Sequence, residues 1–345
     1  MKIGSYKIGN GNPTFVIAEA GINHNNKLDN AFKMIDFAIK YGANAIKFQT
    51  WNTELLQLKN AKKPFYQKNI KNKTYYEIIK NLEPSQNDQK KIYERCKKTG
   101  IIFLSTPYDE QSVDFLDDLG VPAFKISSSD LANHILLKHV ATKNKPIILS
   151  TGLSSIKEVT ETVNLFKKLK MLNKLILMQV TSNYPTPPED VNLRVISNYM
   201  KKFKVPIGFS DHTKNSIASL GAIALGATII EKHFTLSRKL SGPDQSSSLE
   251  PNELKNWIDD IRYLETCMGS QKKSITLSDQ KNISMKKILV IKPIKKGKII
   301  RKEHLASMRG AKNGLLPLNS NLQKIIGKKV KIDISKNIQF SWKMI

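Results

Sequence analysis

The run V-P-I-G-F-S-D-H-T (205–213), continued by K-N-S-I-A-S-L-G-A-I-A-L-G (214–226) and A-T-I-I-E-K-H-F-T (227–235), reads as strand, helix ending in glycine, strand. In a parallel βαβ unit both strands point the same way, so their C-terminal ends lie together, about 4.8 Å apart when the strands are neighbours. His212 and His233, 21 positions apart, each stand where an apolar strand has just run out. Two imidazoles so placed can share one divalent metal. Taken singly, each reads as an ordinary backbone-bonded histidine. The matched placement is what favours a shared site.

The same rhythm extends outward in both directions. Eight short apolar runs, 14–18, 43–48, 101–104, 123–126, 146–149, 174–180, 205–209 and 227–230, alternate with helical stretches that include 28–41, 86–99, 110–119, 131–143, 155–169 and 193–202. Gly42, Gly100, Gly120 and Gly226 fall where those helices should stop. Eight alternations are the count of a closed (β/α)8 (TIM) barrel, and an open doubly wound sheet rarely needs so many. Polar residues follow every run: Glu19, Gln49-Thr50, Ser105-Thr106, Ser127 to Asp130, Ser150-Thr151, Thr181 to Tyr184, Ser210 to His212 and Glu231 to His233. In barrel enzymes that end of the strands carries the active site.

Residues 50–85 break the rhythm with an insertion containing Trp51, Phe65, Tyr66, Tyr75 and Tyr76. Placed after the second strand, it lies over the barrel mouth as a lid or substrate wall, or packs on its own aromatics as a surface loop. The barrel is expected over 1–270. A Ser, Lys and Gln-rich linker follows over 271–285, and a compact module over 286–345 that is small for independent stability.

The chain of 345 residues, 40% hydrophobic and 8% aromatic, has the composition of a globular protein. Its N-terminal apolar run, 15–22, is short and interrupted by Glu19, so neither signal peptide nor membrane span is expected. Cys96 and Cys267 fall on separate predicted helices without ligand-like neighbours, which fits a reducing cytoplasm. The net charge of +27 comes mostly from lysine, often paired on predicted helix faces, within a general abundance of Lys, Asn and Ile. Without finger, RNP-like or P-loop spacing it does not designate a nucleic-acid binder, whose mark would be steep salt dependence.

Two lysines point inward from the apolar pattern, Lys47 in I-K-F-Q-T and Lys125 in F-K-I-S-S-S-D. A lysine inside a barrel is costly unless it meets an anion. Thr106, Ser127, Ser128, Ser150 and Ser210 crowd the same end and suit phosphate or carboxylate oxygens. Glu19 and Asp130 are the carboxylates available for acid or base work, and Asn23, Gln49 and Tyr184 suit a polyhydroxylated partner. These residues describe a metal-assisted reaction of a small anionic metabolite and leave its type open.

The sequence resembles the sialic acid (N-acetylneuraminate) synthase family, which includes the legionaminic and pseudaminic acid synthases. The resemblance spans nearly the whole chain, through A-E-A-G-I-N-H-N (18–25), I-K-F-Q-T (46–50), L-S-T-P-Y-D (104–109), F-K-I-S-S-S-D (124–130), P-I-I-L-S-T-G (146–152), Y-P-T-P (184–187), G-F-S-D-H-T (208–213), E-K-H-F-T (231–235) and G-P-D (242–244). The C-terminal segment resembles the antifreeze-like (SAF) domain appended to that barrel. The resemblance implies a condensation of phosphoenolpyruvate with an open-chain N-acetylmannosamine-type sugar, giving a nine-carbon 2-keto acid and phosphate. It implies His212 and His233 as Mn2+ ligands, and Lys47, Thr106, Lys125, Ser128, Ser150 and Ser210 as phosphoenolpyruvate contacts. Glu19, Gln49, Tyr184 and Asp244 would meet the sugar or the metal's surroundings, and Arg309 would be inserted from the partner of a domain-swapped homodimer.

Three positions depart from the N-acetylneuraminate-making members. Asp130 stands where they carry Glu, Ser182 stands where many carry Asn, and Phe48 replaces a His, as in members acting on 2,4-diacetamido-6-deoxy sugars. Two rival readings are a barrel that binds sugar without catalysis and a metal-dependent aldolase or phosphoenolpyruvate condensation on a shorter sugar. The first would lack ligands that this chain has, and the C-terminal module argues against the second.

Overall fold

A computed structural model of the chain describes residues 1–9, 11–62, 74–281, 285–310 and 314–345. Phe65 and Tyr66 of the insertion, and 311–313 of the basic segment near the C-terminus, lie outside the described residues. The chain forms two compact units, Met1–Gly269 and Ser270–Ile345.

The first unit opens with a small antiparallel hairpin, β1 (Lys2–Ile3) and β2 (Tyr6–Lys7). Eight parallel strands follow: β3 (Phe15–Gly21), β4 (Ala45–Thr50), β5 (Ile102–Pro107), β6 (Phe124–Ile126), β7 (Ile147–Ser150), β8 (Leu175–Gln179), β9 (Ile207–Asp211) and β10 (Ile229–His233). They are ordered β5-β4-β3-β10-β9-β8-β7-β6. The end strands β5 and β6 lie side by side, and the ladder does not continue between them among the described residues. The expected barrel is therefore present, with one seam.

The helices of this unit are α1 (Leu28–Lys40), α2 (Thr53–Leu56), α3 (Tyr75–Leu82), α4 (Gln86–Thr99), α5 (Glu110–Leu119), α6 (His134–Thr142), α7 (Ile156–Lys168), α8 (Arg194–Phe203), α9 (Ile217–Ala224) and α10 (Pro251–Met268). Gly100 and Gly120 end α4 and α5 in the left-handed conformation, φ 82° and 88°, which glycine adopts without strain. Two helices begin later than the apolar periodicity suggests. Ser128–Asp130 form a 3-10 turn and Asn133 caps α6, its Oδ1 accepting the Leu136 N–H at 3.2 Å. Asn215 likewise accepts the Ile217 N–H at 3.0 Å just before α9. In both places a short polar side chain offers the backbone an alternative to the helix.

Alternation along the strands sorts two apolar layers. Val16, Ala18, Ile46, Phe103, Phe124, Leu149, Leu177, Phe209 and Ile230 face the helices. Phe15, Ile17, Ala45, Leu104, Ala123, Ile148, Ile176, Met178 and Ile229 fill the barrel's interior with Ile3 and Ile8 from the hairpin, which closes the floor. Gly208 also belongs to this inner set, where a Cβ would lie 2.8 Å from the Ile229 carbonyl oxygen and 3.2 Å from Met178. The inner face is thus apolar at its base and polar at its C-terminal rim. Among the described residues, no helix is long and apolar enough to cross a membrane.

The second unit carries α11 (Leu277–Lys281), an antiparallel sheet ordered β12 (Leu305–Met308), β11 (Lys287–Val290), β13 (Ile338–Gln339), and α12 (Asn319–Ile325). Its own core includes Ile288, Val290, Ile294, Ile300, Ile325, Val330, Ile334 and Phe340. Arg309 is exposed, one residue past β12.

Candidate active site

The polar rim of the barrel encloses a cavity of about 500 Å³. The register that sorts the apolar layers also aims the polar side chains. On β3 and β4, Glu19 pairs with Lys47 across the ladder. Gln49 pairs with Thr106 of β5, and Ser210 of β9 with Glu231 of β10. All six line the cavity with Lys125, Ser150, His212 and His233. Ser127, Ser128, Ser182, Tyr184 and Asp244, also singled out above, line it as well.

The two buried lysines meet anions within the protein itself. Lys47 Nζ lies 2.8 Å from Glu19 Oε1 and donates to Thr106 Oγ1 at 3.1 Å. Lys125 Nζ lies 3.5 Å from Glu231 Oε1 and donates to Ser150 Oγ at 2.7 Å. Ser210 Oγ donates to Glu231 Oε1 at 3.2 Å. Each carboxylate keeps one oxygen, Glu19 Oε2 and Glu231 Oε2, buried without a partner among the described residues. The site therefore holds two lysines, two carboxyl groups and unused acceptors in one cavity.

Their environments push the acidities apart. Burial drives Glu19 up to about 7, against the pull of Lys47 and with a further push from Glu231. Burial also raises Glu231, but Lys125, Lys47 and His212 outweigh it and hold that carboxyl below its usual range. Burial lowers Lys47, and Glu19 and Glu231 reverse the balance so that it is raised. For Lys125 burial wins and the ammonium is lowered. Asp244 is pushed up to about 6 by desolvation, Lys47 pulling against it.

The two imidazoles lie with ring centres 5.4 Å apart. His212 Nδ1 donates to the Thr181 carbonyl at 2.8 Å, which leaves the lone pair on Nε2. Burial lowers His212 to about 4, and burial together with His212 and the nearby lysines lowers His233 well below the usual value, so both rings are neutral near pH 7. His233 Nδ1 is buried without a partner among the described residues. Tyr184 packs over His212, ring centres 4.1 Å apart. Gly152 is required nearby. Its N–H donates to Ser128 Oγ at 3.0 Å, and a Cβ there would meet that oxygen at 2.8 Å and collide with Ser182.

A NeuB family profile matches residues 34–273. The chain belongs to the NeuB family. It is 37% identical to the N,N'-diacetyllegionaminic acid synthase of Legionella pneumophila, over 96% of this chain and 94% of that one. It is 41% identical to the N,N'-diacetyllegionaminic acid synthase of Campylobacter jejuni, over 88% and 92%. Among solved structures it is similar to the N-acetylneuraminic acid (sialic acid) synthetase of Leptospira borgpetersenii in complex with citrate. That match has a TM-score of 0.72 and 37% identity, and covers 82% of this chain and 94% of that one. The family is that of the phosphoenolpyruvate-condensing nonulosonic acid synthases.

Of the candidate site residues, Asn23, Asp130 and Arg309 do not line the cavity. Asn23 Nδ2 donates to the Phe234 carbonyl at 2.8 Å and to Ser248 Oγ at 2.9 Å. The Asp130 carboxylate accepts from Ser127 Oγ at 3.0 Å, Ser129 Oγ at 3.2 Å and Asn133 Nδ2 at 3.0 Å, holding the turn before α6. Arg309 belongs to the second unit. Sequence reasoning marks Glu231 only as a polar strand-end residue and gives it no role, although it stands two positions before His233 and strand alternation puts both on one face. Tyr108, directly after β5, and an apolar wall of Trp51, Leu56, Tyr75 and Ile79 also line the cavity. That wall belongs to the insertion between β4 and α4, where no periodicity announces which side chains turn inward.

Proposed function

We propose that this chain condenses phosphoenolpyruvate with an open-chain N-acetylmannosamine-type sugar, either N-acetylmannosamine or a 2,4-diacetamido-6-deoxy analogue. The products are a nine-carbon 2-keto sugar acid and phosphate. The observation that carries the reading is the convergence of Lys47, Lys125, Thr106, Ser150, Ser210, His212 and His233 on one cavity. Lysines and hydroxyls form the donor set of a phosphorylated acid. Legionaminic acid synthases among the similar proteins support the class of product.

The imidazole pair fits a divalent cation, Mn2+ by the chemistry of the family. Both rings are neutral, one has its tautomer fixed by a backbone carbonyl, and the other keeps a nitrogen without a protein partner. Among the described residues no third His, Cys, Asp or Glu joins them in a metal-holding cluster. When bound, the ion supplies a Lewis acid that polarises the sugar aldehyde.

The protein's own groups do the remainder. Lys47, Lys125 and the hydroxyls hold the phosphate and carboxylate, and C3 of the enol ester attacks the aldehyde carbon. Glu19, which burial raises to about 7, is placed to give a proton to the forming alkoxide. Glu231, held ionised, is placed to take a proton from the water that adds at C2. The C2–O bond then breaks and phosphate keeps the bridging oxygen. Tyr184 and Asp244 orient the sugar.

The test incubates the protein with phosphoenolpyruvate, Mn2+ and a panel of N-acetylmannosamine, its 6-phosphate and the 2,4-diacetamido-6-deoxy sugar, and follows phosphate release. Release with at least one panel member, its loss in His212→Ala and His233→Ala, and its loss and recovery on chelation and Mn2+ return are expected. Full turnover after exhaustive chelation overturns the metal assignment. Phosphate release independent of every sugar overturns the condensation.

A further inference from the structure

Behind the two histidines, on the helix-facing side of the barrel, lies a third buried ion pair, one that the proposed chemistry does not use. Lys232 and Asp211 face each other across the β9–β10 ladder. Their side chains are 1% and 0% exposed, with Nζ 3.0 Å from Oδ2. Lys232 Nζ also donates to the Thr213 carbonyl. Asp211 Oδ1 accepts from the Thr213 N–H and Oγ1, both at 2.8 Å, and Oδ2 accepts from Ser219 Oγ of α9. Trp257 Nε1 of α10 donates to Ser219 Oγ at 2.9 Å.

The geometry of this network is specific to the imidazoles. Asp211 immediately precedes His212 and Lys232 immediately precedes His233, so alternation sends each charged side chain outward and each ring toward the cavity. Thr213, on the far side of His212, is bonded through its N–H, hydroxyl and carbonyl to the same pair. The backbone of His212 is therefore clamped on both sides, and its clamp is tied to the residue that carries His233. A buried ion pair is weak support for stability alone, since apolar replacements of similar volume are often neutral or better. Setting the spacing of two side chains gives it another role.

We propose that Asp211 and Lys232 are positioning residues that fix the separation of His212 and His233 and thereby the affinity of the barrel for a divalent cation. The proposal rests on the reading of those histidines as metal ligands, and its test needs neither substrate nor turnover. Mn2+ alone is titrated into the protein and the free ion is followed by electron paramagnetic resonance, with thermal unfolding measured in parallel. The informative variant is Asp211→Asn/Lys232→Met, which removes both charges together and keeps an amide oxygen for Thr213. Its expected melting temperature is within a few degrees of wild type, with the Mn2+ dissociation constant raised about 10- to 100-fold, the range found when groups that orient metal ligands are removed. Loss of affinity without matching loss of stability separates positioning from general support.

Wild-type affinity in this double variant overturns the proposal. Should it fail to fold, Ser219→Ala, which removes one donor to Asp211 and leaves the pair in place, is expected to weaken Mn2+ several-fold, and unchanged affinity there overturns the proposal as well. Wild-type protein that holds Mn2+ no better than His212→Ala overturns the metal reading, and the positioning role with it.

Discussion

On the proposed reading, Lys47 is a buried charge kept ready for a ligand. In the free protein its ammonium is held by Glu19 and Thr106, and an arriving phosphate competes for the same donors. Glu19, already raised to about 7 by burial against the pull of Lys47, then loses part of that pull and gains a negative neighbour. Both changes raise its pKa further, so phosphoenolpyruvate binding at pH 7.5 should draw a proton from solvent. Calorimetric titration of wild type with phosphoenolpyruvate in buffers of different ionisation enthalpy should give a positive slope of binding enthalpy against that enthalpy. The slope should fall in Glu19→Gln. A zero slope, or one unchanged by the substitution, would show that Glu19 does not take up the proton.

At the scale of elements, the loop joining β3 to α1 carries its own titratable group. Asn25 and Asn26 adopt positive φ, 53° and 55°, and so turn the chain from the C-terminal end of β3 toward α1. His24 before them is 5% exposed and packs edge-on to Phe48, ring centres 5.4 Å apart. Burial lowers it from 6.5 to about 4, with Asp88 pulling the other way. The folded state thus binds this proton less readily than the unfolded chain. The stability tied to neutral His24 is complete above the unfolded value near 6.5 and is lost as pH falls toward 4. Between pH 7.5 and 5 the loss amounts to about 2 kcal/mol. Chemical unfolding at the two pH values should show His24→Leu losing less stability than wild type by roughly that amount, and equal losses would remove His24 as the cause.

This loop also marks how far a sequence can be read. Strand ends were legible because period-two alternation tells where Glu19, Lys47 and Ser210 point. Lys47 and Lys125 were legible as inward charges, but the partner of Lys125 was not, since Glu231 meets it only once the barrel brings β6 and β10, far apart in the chain, around one cavity. Asp130 stood at the right strand end, yet Ser127, Ser129 and Asn133 take its oxygens. Local hydrogen bonding of that kind competes with function and leaves no periodic trace.

For the molecule as a whole, the second unit has a core of its own and ends its edge strand β12 beside an exposed arginine. The family resemblance implies that Arg309 serves the barrel of a partner subunit. Arg309→Ala and His212→Ala chains, each inactive, should then recover activity on subunit exchange. In a random mixture of twofold dimers about one site in four joins intact ligands to an intact partner arginine. Demonstrated exchange with no recovered turnover would place Arg309 in its own subunit's site or outside any site.

The barrel's single interruption has a bearing on its motions. The ladder ends at β5 on one side and at the three-residue β6 on the other, and these strands deliver Thr106 and Lys125 to the cavity. A stave without a complete set of cross-links to its neighbour breathes more readily than the rest. Deuterium should therefore enter the amides of 102–107 and 124–126 sooner than those of β9 and β10, and saturating phosphoenolpyruvate should slow it there most. Uniform exchange around the cylinder would show that side-chain packing alone latches the joint. If the gradient is found, substrate acts as the missing rivet, and the anion-binding half of the mouth is the part of the barrel that yields.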